Sequence, residues 1–184
     1  MKIIILRHAE RYDSPLFETS LTEEGLQQAE DLVELLKKHK IDAIYASPFL
    51  RVLQTIYPYC CESGDEVNIE NSFYECLECD EFTYDNYKHR VSELFEKYPK
   101  FKKIVGNYES SMNLANLSHV ETETDIKNRV YRFIWKLNKQ YPDKCILIVT
   151  HMTICNTIKK YFDDSVNLSD EFLPAHFEVI VSEN

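Results

Sequence analysis

Two histidines each follow a short apolar run. Ile3-Ile4-Ile5-Leu6-Arg7 leads into His8, and Cys145-Ile146-Leu147-Ile148-Val149-Thr150 leads into His151. Runs this short and this rich in β-branched residues read as buried strands. In open α/β sheets, ligands bind beyond the carboxyl ends of the strands. Arg7 and Arg11 flank His8, and Arg51 opens the helix expected after another strand. Phosphate needs bidentate cationic donors and gains from helix N-terminal amides. A neutral imidazole is a good nucleophile toward phosphorus, and neighbouring guanidinium charges keep it neutral by lowering its pKa. The expectation is a phosphate pocket in which His8 accepts a phosphoryl group. The plainer alternative is a pair of strand-end histidines satisfied by hydrogen bonds.

These side chains need a scaffold, and the rest of the chain reads as one. Strands are expected at residues 2–6, 41–46, 67–69, 145–150 and 177–181. Residues 12–21 read as a loop. Thr22 reads as an N-cap for a helix over 23–39, with Glu23 and Glu24 where the helix dipole favours anions. Ser47-Pro48 introduces a helix over 49–61, which Pro58 should end early or kink. Residues 62–66 read as a turn. Further helices are expected over 84–98, 123–141 and 153–162, and residues 100–121 read as loop-rich. Strands alternating with helices indicate an α/β fold: a three-layer α/β/α sandwich with a mixed, mostly parallel sheet. With 184 residues and no repeat or linker, residues 1–184 read as a single domain.

Composition removes several function classes. A net charge of -10 argues against a general nucleic-acid or membrane-surface binder. No apolar run approaches the roughly 20 residues that span a bilayer. The start is too short in apolar residues for a secretory signal, so a cytoplasmic protein with reduced thiols is expected. Cys60, Cys61, Cys76 and Cys79 are conceivable zinc ligands, but adjacent cysteines suit a tetrahedral site poorly and no second C-x-x-C occurs. No metal site is expected.

The pocket residues also sit in motifs. Leu6-Arg7-His8-Ala9-Glu10 resembles the R-H-G signature of the histidine phosphatase superfamily, the phosphoglycerate mutase-like group. Leu21-Thr22-x-x-Gly25-x-x-Gln28-Ala29, Ala46-Ser47-Pro48-x-x-Arg51-x-x-Gln54-Thr55 and Val149-Thr150-His151 resemble its later elements, in order. The resemblance implies that His8 is the phosphorylated nucleophile and that Arg7, Arg51 and His151 hold the phosphate. Arg11 fits the R-H-x-E-R pattern of the ecdysteroid-phosphatase and T-cell-signalling-suppressor branch, where that Arg also touches phosphate. The family needs a carboxylic acid to protonate the leaving oxygen. In that branch it lies in a segment like Phe73-Tyr74-Glu75, which selects Glu75, with Glu78 and Asp80 as rivals. No metal or organic cofactor is implied. Two departures occur: Ala9 stands where Gly is usual, and Met152-Thr153 stands where glycines often follow the second His.

The reading is therefore a phosphatase acting on phosphomonoesters, on a small phosphorylated substrate or a phosphoprotein. One alternative is a phosphoglycerate mutase-type phosphotransferase. It would need extra basic contacts, whereas Val52 to Tyr87 holds nine acids and no Lys or Arg. The other is a catalytically idle phosphate-binding module. Tyr12, Phe73, Tyr74 and Phe82 could line an aromatic-tolerant pocket, although ordinary packing is the preferred reading. Oligomeric state and the contacts of residues 100–121 are not legible in the sequence.

Overall fold

In the computed structural model, the apolar runs ending in His8 and His151 are neighbouring strands at the heart of a sheet. Residues 1–14, 16–76, 87–113 and 120–181 are described, with backbone alone at 87–90. The strands are β1 (Lys2–Arg7), β2 (Ala43–Ala46), β3 (Val67–Ile69), β4 (Cys145–Thr150) and β5 (Phe177–Val181). The helices are α1 (Glu23–Leu36), α2 (Leu50–Ser63), α3 (Tyr87–Lys97), α4 (Glu123–Gln140) and α5 (Met152–Phe162). Strand order is β3-β2-β4-β1-β5. The pairs β1–β4, β2–β4 and β2–β3 are parallel, and β5 runs antiparallel along β1.

Period-two alternation sorts each central strand between two cores. Ile4, Leu6, Ile44, Ala46, Leu147 and Val149 face the layer built from α1 and α2. Ile3, Ile5, Tyr45, Ile146 and Ile148 face α4 and α5. Ile3 through Leu6 are fully buried. Each such side chain stabilises the fold by about 1.5–3 kcal/mol relative to exposure. This is the expected three-layer α/β/α arrangement, with a mixed and mostly parallel sheet.

The element boundaries differ from the expectation in physically readable ways. Helix α1 ends at Leu36 rather than residue 39, because the chain tightens into shorter bonds from Lys38 N to Leu35 O and His39 N to Leu36 O. Helix α2 continues through Pro58 to Ser63, past the early end expected there. Proline removes one helical donor, but Tyr59 and Cys60 in the next turn are buried and hold it in place. Gly64 then stops the helix in the left-handed region, at φ 78°. Within 100–121, residues 99–103 form a 3₁₀ helix, and Val105 bridges to Val67 beside β3. Residues 84–86 of the expected third helix and residues 114–119 lie outside the described residues.

Candidate active site

Sheet register brings the two histidines together. Arg7 pairs with Thr150 in the β1–β4 ladder, so His8 and His151 leave adjacent strands side by side. Their ring centroids are 5.4 Å apart. The His8 backbone N–H donates to Thr150 O at 2.9 Å. In the His8 ring, Nδ1 lies 2.7 Å from Ala9 O. A carbonyl only accepts, so Nδ1 carries the proton and the lone pair on Nε2 stays available. Burial, then the charges of His151 and Arg51, hold the His8 pKa well below 6.5. The imidazole is thus neutral and nucleophilic at physiological pH.

The loop after His8 is tied down by the other motif residues. Ala9 N–H donates to Thr55 Oγ1 at 2.9 Å, and that hydroxyl donates to Arg51 O. Glu10 N–H donates to Gln28 Oε1, and Leu21 N–H donates to Gln54 Oε1. Thr22 caps α1 through Gly25 N–H and also donates to the Glu10 carboxylate at 2.8 Å. A Cβ at Gly25 would lie 1.9 Å from Glu10 O, so the first turn of α1 reaches this loop only because position 25 is glycine. His8 O accepts from Ala175 N–H, and Ala175 takes a left-handed φ of 54°.

His151 is the N-cap residue of α5 and is fully buried. Its Nε2 lies 2.8 Å from Ser47 Oγ, at the end of β2. Its Nδ1 lies 3.1 Å from Glu75 Oε2 and 3.3 Å from Arg51 Nη2. Arg51, in the first turn of α2, donates through Nη2 to Glu75 at 3.2 Å and through Nη1 to Leu16 O. Its guanidinium lies 4.4 Å from the Phe49 ring centroid. With its proton on Nδ1, neutral His151 donates to Glu75 and accepts from the Ser47 hydroxyl. Burial lowers the His151 pKa to about 4, with Arg51 working in the same direction against Glu75. Burial would raise the Glu75 pKa, but His151 and Arg51 outweigh it and hold the carboxyl below its usual range. Ligand-free Glu75 is therefore ionised, with the Arg51 cation as its partner at neutral pH.

Arg7 donates through Nη1 to Phe172 O. Arg11 donates to the carbonyls of Tyr12 and Ser14 and lies close enough for its charge to act on both Arg7 and Arg51. The Nε atoms of Arg7 and Arg51 are buried without a protein partner. Buried donors of this kind are costly unless something accepts from them. Helices α2 and α5 both begin at this end of the sheet, so their positive dipole ends add to the same potential. Donor atoms of His8, Glu75 and His151 lie within 4.8 Å of one another, the only such metal-donor group among the described residues. Three guanidinium groups around that trio favour an anion over a cation.

The structure thus gathers Arg7, His8, Arg51, Glu75 and His151 at one point, with Arg11 alongside. Glu78 and Asp80, the rival acids, lie outside the described residues, as do Cys79 and Phe82. Ordinary packing, the preferred reading of the aromatic residues, holds for two of them. Phe73 and Tyr74 are fully buried, in the cores on opposite faces of the sheet, while Tyr12 is exposed. The sequence reading missed the supports of the Glu75 segment: Glu70, Thr150 as a side-chain donor, and the Arg129–Glu121 pair. Glu70 was one acid among nine, and no local spacing distinguishes it.

Comparison with known proteins identifies the family. Residues 3–171 match the family model described as histidine phosphatase superfamily (branch 1). Phosphoserine phosphatase 1 of Hydrogenobacter thermophilus is 27% identical over 158 residues, covering 82% of this chain and 71% of that protein. The transcription factor tau 55 kDa subunit of Saccharomyces cerevisiae is 30% identical over 168 residues, covering 81% of this chain but only 38% of that protein. Among solved structures, the ecdysone phosphate phosphatase of Bombix mori in complex with tungstate superposes with a TM-score of 0.67. It is 14% identical, over 97% of this chain and 88% of that one. The chain belongs to the histidine phosphatase superfamily.

Proposed function

We propose that the chain hydrolyses phosphomonoesters through a phosphohistidine formed on Nε2 of His8. The observation that carries this reading is the pairing of a free, neutral Nε2 with unpartnered guanidinium donors around it. Arg7, Arg11, Arg51 and His151 hold the phosphate oxygens. Nε2 of His8 attacks phosphorus in line and the ester P–O bond breaks, while Nδ1 keeps its proton and donates it to Ala9 O. Glu75 gives its proton to the leaving oxygen, and the alcohol departs. Glu75, now a carboxylate, takes a proton from water, whose oxygen attacks phosphorus. The P–N bond breaks and inorganic phosphate leaves.

The ionised state of Glu75 in the free site sets where the first proton comes from. A phosphomonoester monoanion carries one proton below its second pKa of about 6. Its remaining charge also competes for Arg51, which releases Glu75 to accept that proton. The mechanism needs no metal from outside, since guanidinium groups and helix N-termini already stabilise the transferring charge. The similarity to a phosphoserine phosphatase favours a small alkyl phosphate as substrate, with a phosphoprotein as the larger possibility of the same chemistry. No helix among the described residues is long and apolar enough to cross a membrane. We place the protein in the cytoplasm, as one domain over residues 1–184.

The test is phosphate release from an aryl phosphate with a metal chelator present, comparing the wild type with His8→Ala. Turnover that survives chelation and vanishes in the variant supports the reading. Turnover that persists in His8→Ala refutes it.

A further inference from the structure

Glu75 belongs to a segment with no regular hydrogen-bonded ladder of its own, so something else must fix it. That segment leaves β3 at Ile69 and makes one 3₁₀ turn over Asn71–Phe73. Two consecutive carbonyls just before Tyr74-Glu75 are each held by a side chain from another element. Thr150 Oγ1, one residue before His151, donates to Phe73 O at 2.8 Å. Arg129 Nη1, from the middle of α4, donates to Ser72 O at 2.7 Å.

Arg129 is an unusual choice of clamp. It is nearly fully buried, although it lies on a helix whose opposite face is charged. Its remaining donors are taken by one carboxylate, Nε to Glu121 Oε1 at 2.6 Å and Nη2 to Glu121 Oε2 at 2.8 Å. A bidentate pair of this kind fixes the guanidinium plane and leaves Nη1 aimed in one direction. Buried ion pairs contribute little net stability compared with well-packed apolar side chains. Its aim at Ser72 O therefore asks for another explanation.

We propose that Arg129, oriented by Glu121, is a positioning residue that sets Glu75 against the leaving oxygen. It does not touch the reacting atoms. It fixes the segment whose next residues are Phe73, Tyr74 and Glu75. This inference rests on the reading of Glu75 as the acid. General acid help matters in proportion to the basicity of the leaving group. An alkoxide needs the proton, whereas an aryl oxide with a pKa near neutrality leaves without it.

The experiment compares kcat/KM for an alkyl phosphate, phosphoserine, with that for p-nitrophenyl phosphate. The ratio is independent of the folded fraction, and kcat/KM is insensitive to the later hydrolysis of phosphohistidine. The variant is the double change Arg129→Met with Glu121→Leu, which replaces the pair by apolar side chains and leaves no buried charge unpaired. Glu75→Gln is the reference. The expected result is a loss of ~10²-fold or more for phosphoserine in Glu75→Gln, with much less for the aryl ester. The double variant should move the ratio in the same direction by about tenfold, as expected for a misplaced acid. Equal losses on both substrates, or none on either, in the double variant alone would overturn the positioning role and leave Glu75 standing. An unchanged ratio in Glu75→Gln would overturn the acid itself, and the positioning role with it.

Discussion

The loop around His8 and the segment around Glu75 meet at one point but are built differently. The loop is held by residues that lie in sequence motifs: Thr22, Gly25, Gln28, Gln54 and Thr55. These contacts fix backbone N–H groups or bring a helix against the loop backbone. The Glu75 segment is held by side chains scattered through the chain. Glu70 accepts from Ser72 N–H, Ser110 Oγ, Ser111 N–H and Tyr108 Oη, the last at 2.6 Å. Thr150 and Arg129 add the two carbonyl clamps. The lesson is that a nucleophile's frame can be repeated as a motif, because backbone geometry at a strand end demands it. An acid on an irregular segment needs only some set of buried partners, and many sets would serve.

The largest test of that contrast concerns the two groups proposed to react. His8→Ala should lower kcat by ~10⁴-fold or more on every phosphomonoester, because no other group replaces the nucleophile. Glu75→Gln should cost ~10²–10⁴-fold on alkyl phosphates and far less on aryl ones. A uniform loss in Glu75→Gln across leaving groups would erase the difference between the regions.

His151 joins both regions, and its titration reports on their junction. Its folded pKa of about 4 lies below the free value of 6.5. Between those values the unfolded chain binds more protons, so stability rises with pH across that window and is complete above 6.5. That difference corresponds to a contribution on the order of 3 kcal/mol. Urea midpoints at pH 4.5 and pH 7 should therefore differ markedly, and His151→Gln should flatten that dependence. The same logic places the acid limb of kcat/KM below pH 6.5, since burial lowers the His8 pKa.

Gly25→Ala probes the helix that braces the nucleophile loop. Its new Cβ would meet backbone, 1.9 Å from Glu10 O, and backbone cannot swing aside. The expected loss is about 2–3 kcal/mol in urea unfolding, with a fall in kcat as His8 shifts. Native stability in this variant would show the loop to be softer than its contacts imply.

Thr55→Val is the mildest test. It leaves Ala9 N–H without its acceptor while keeping the side-chain volume. The cost should be about 1–2 kcal/mol. The corresponding change across the site, Glu70→Gln, removes the charge that strengthens four bonds and turns one accepting oxygen into an NH2 that faces a backbone N–H, and should cost at least as much. A larger loss from Thr55→Val would reverse the comparison.

What the sequence determined by itself was the set of strands, the order of the motifs and the cluster of Arg7, His8, Arg51 and His151. Apolar period and chain-local turns encode these directly, and a parallel sheet must place its strand ends together. Glu75 was reached only through a resemblance, because an acid within an acidic stretch has no local signature. Tertiary structure alone decided that α2 runs past Pro58, that Phe73 and Tyr74 fall into cores on opposite faces of the sheet, and that Glu70, Thr150 and Arg129 hold the Glu75 segment. Those outcomes depend on which side chains become buried neighbours across distances of tens of residues. A local pattern records what each residue prefers, and only the folded chain decides which partner is there to satisfy it.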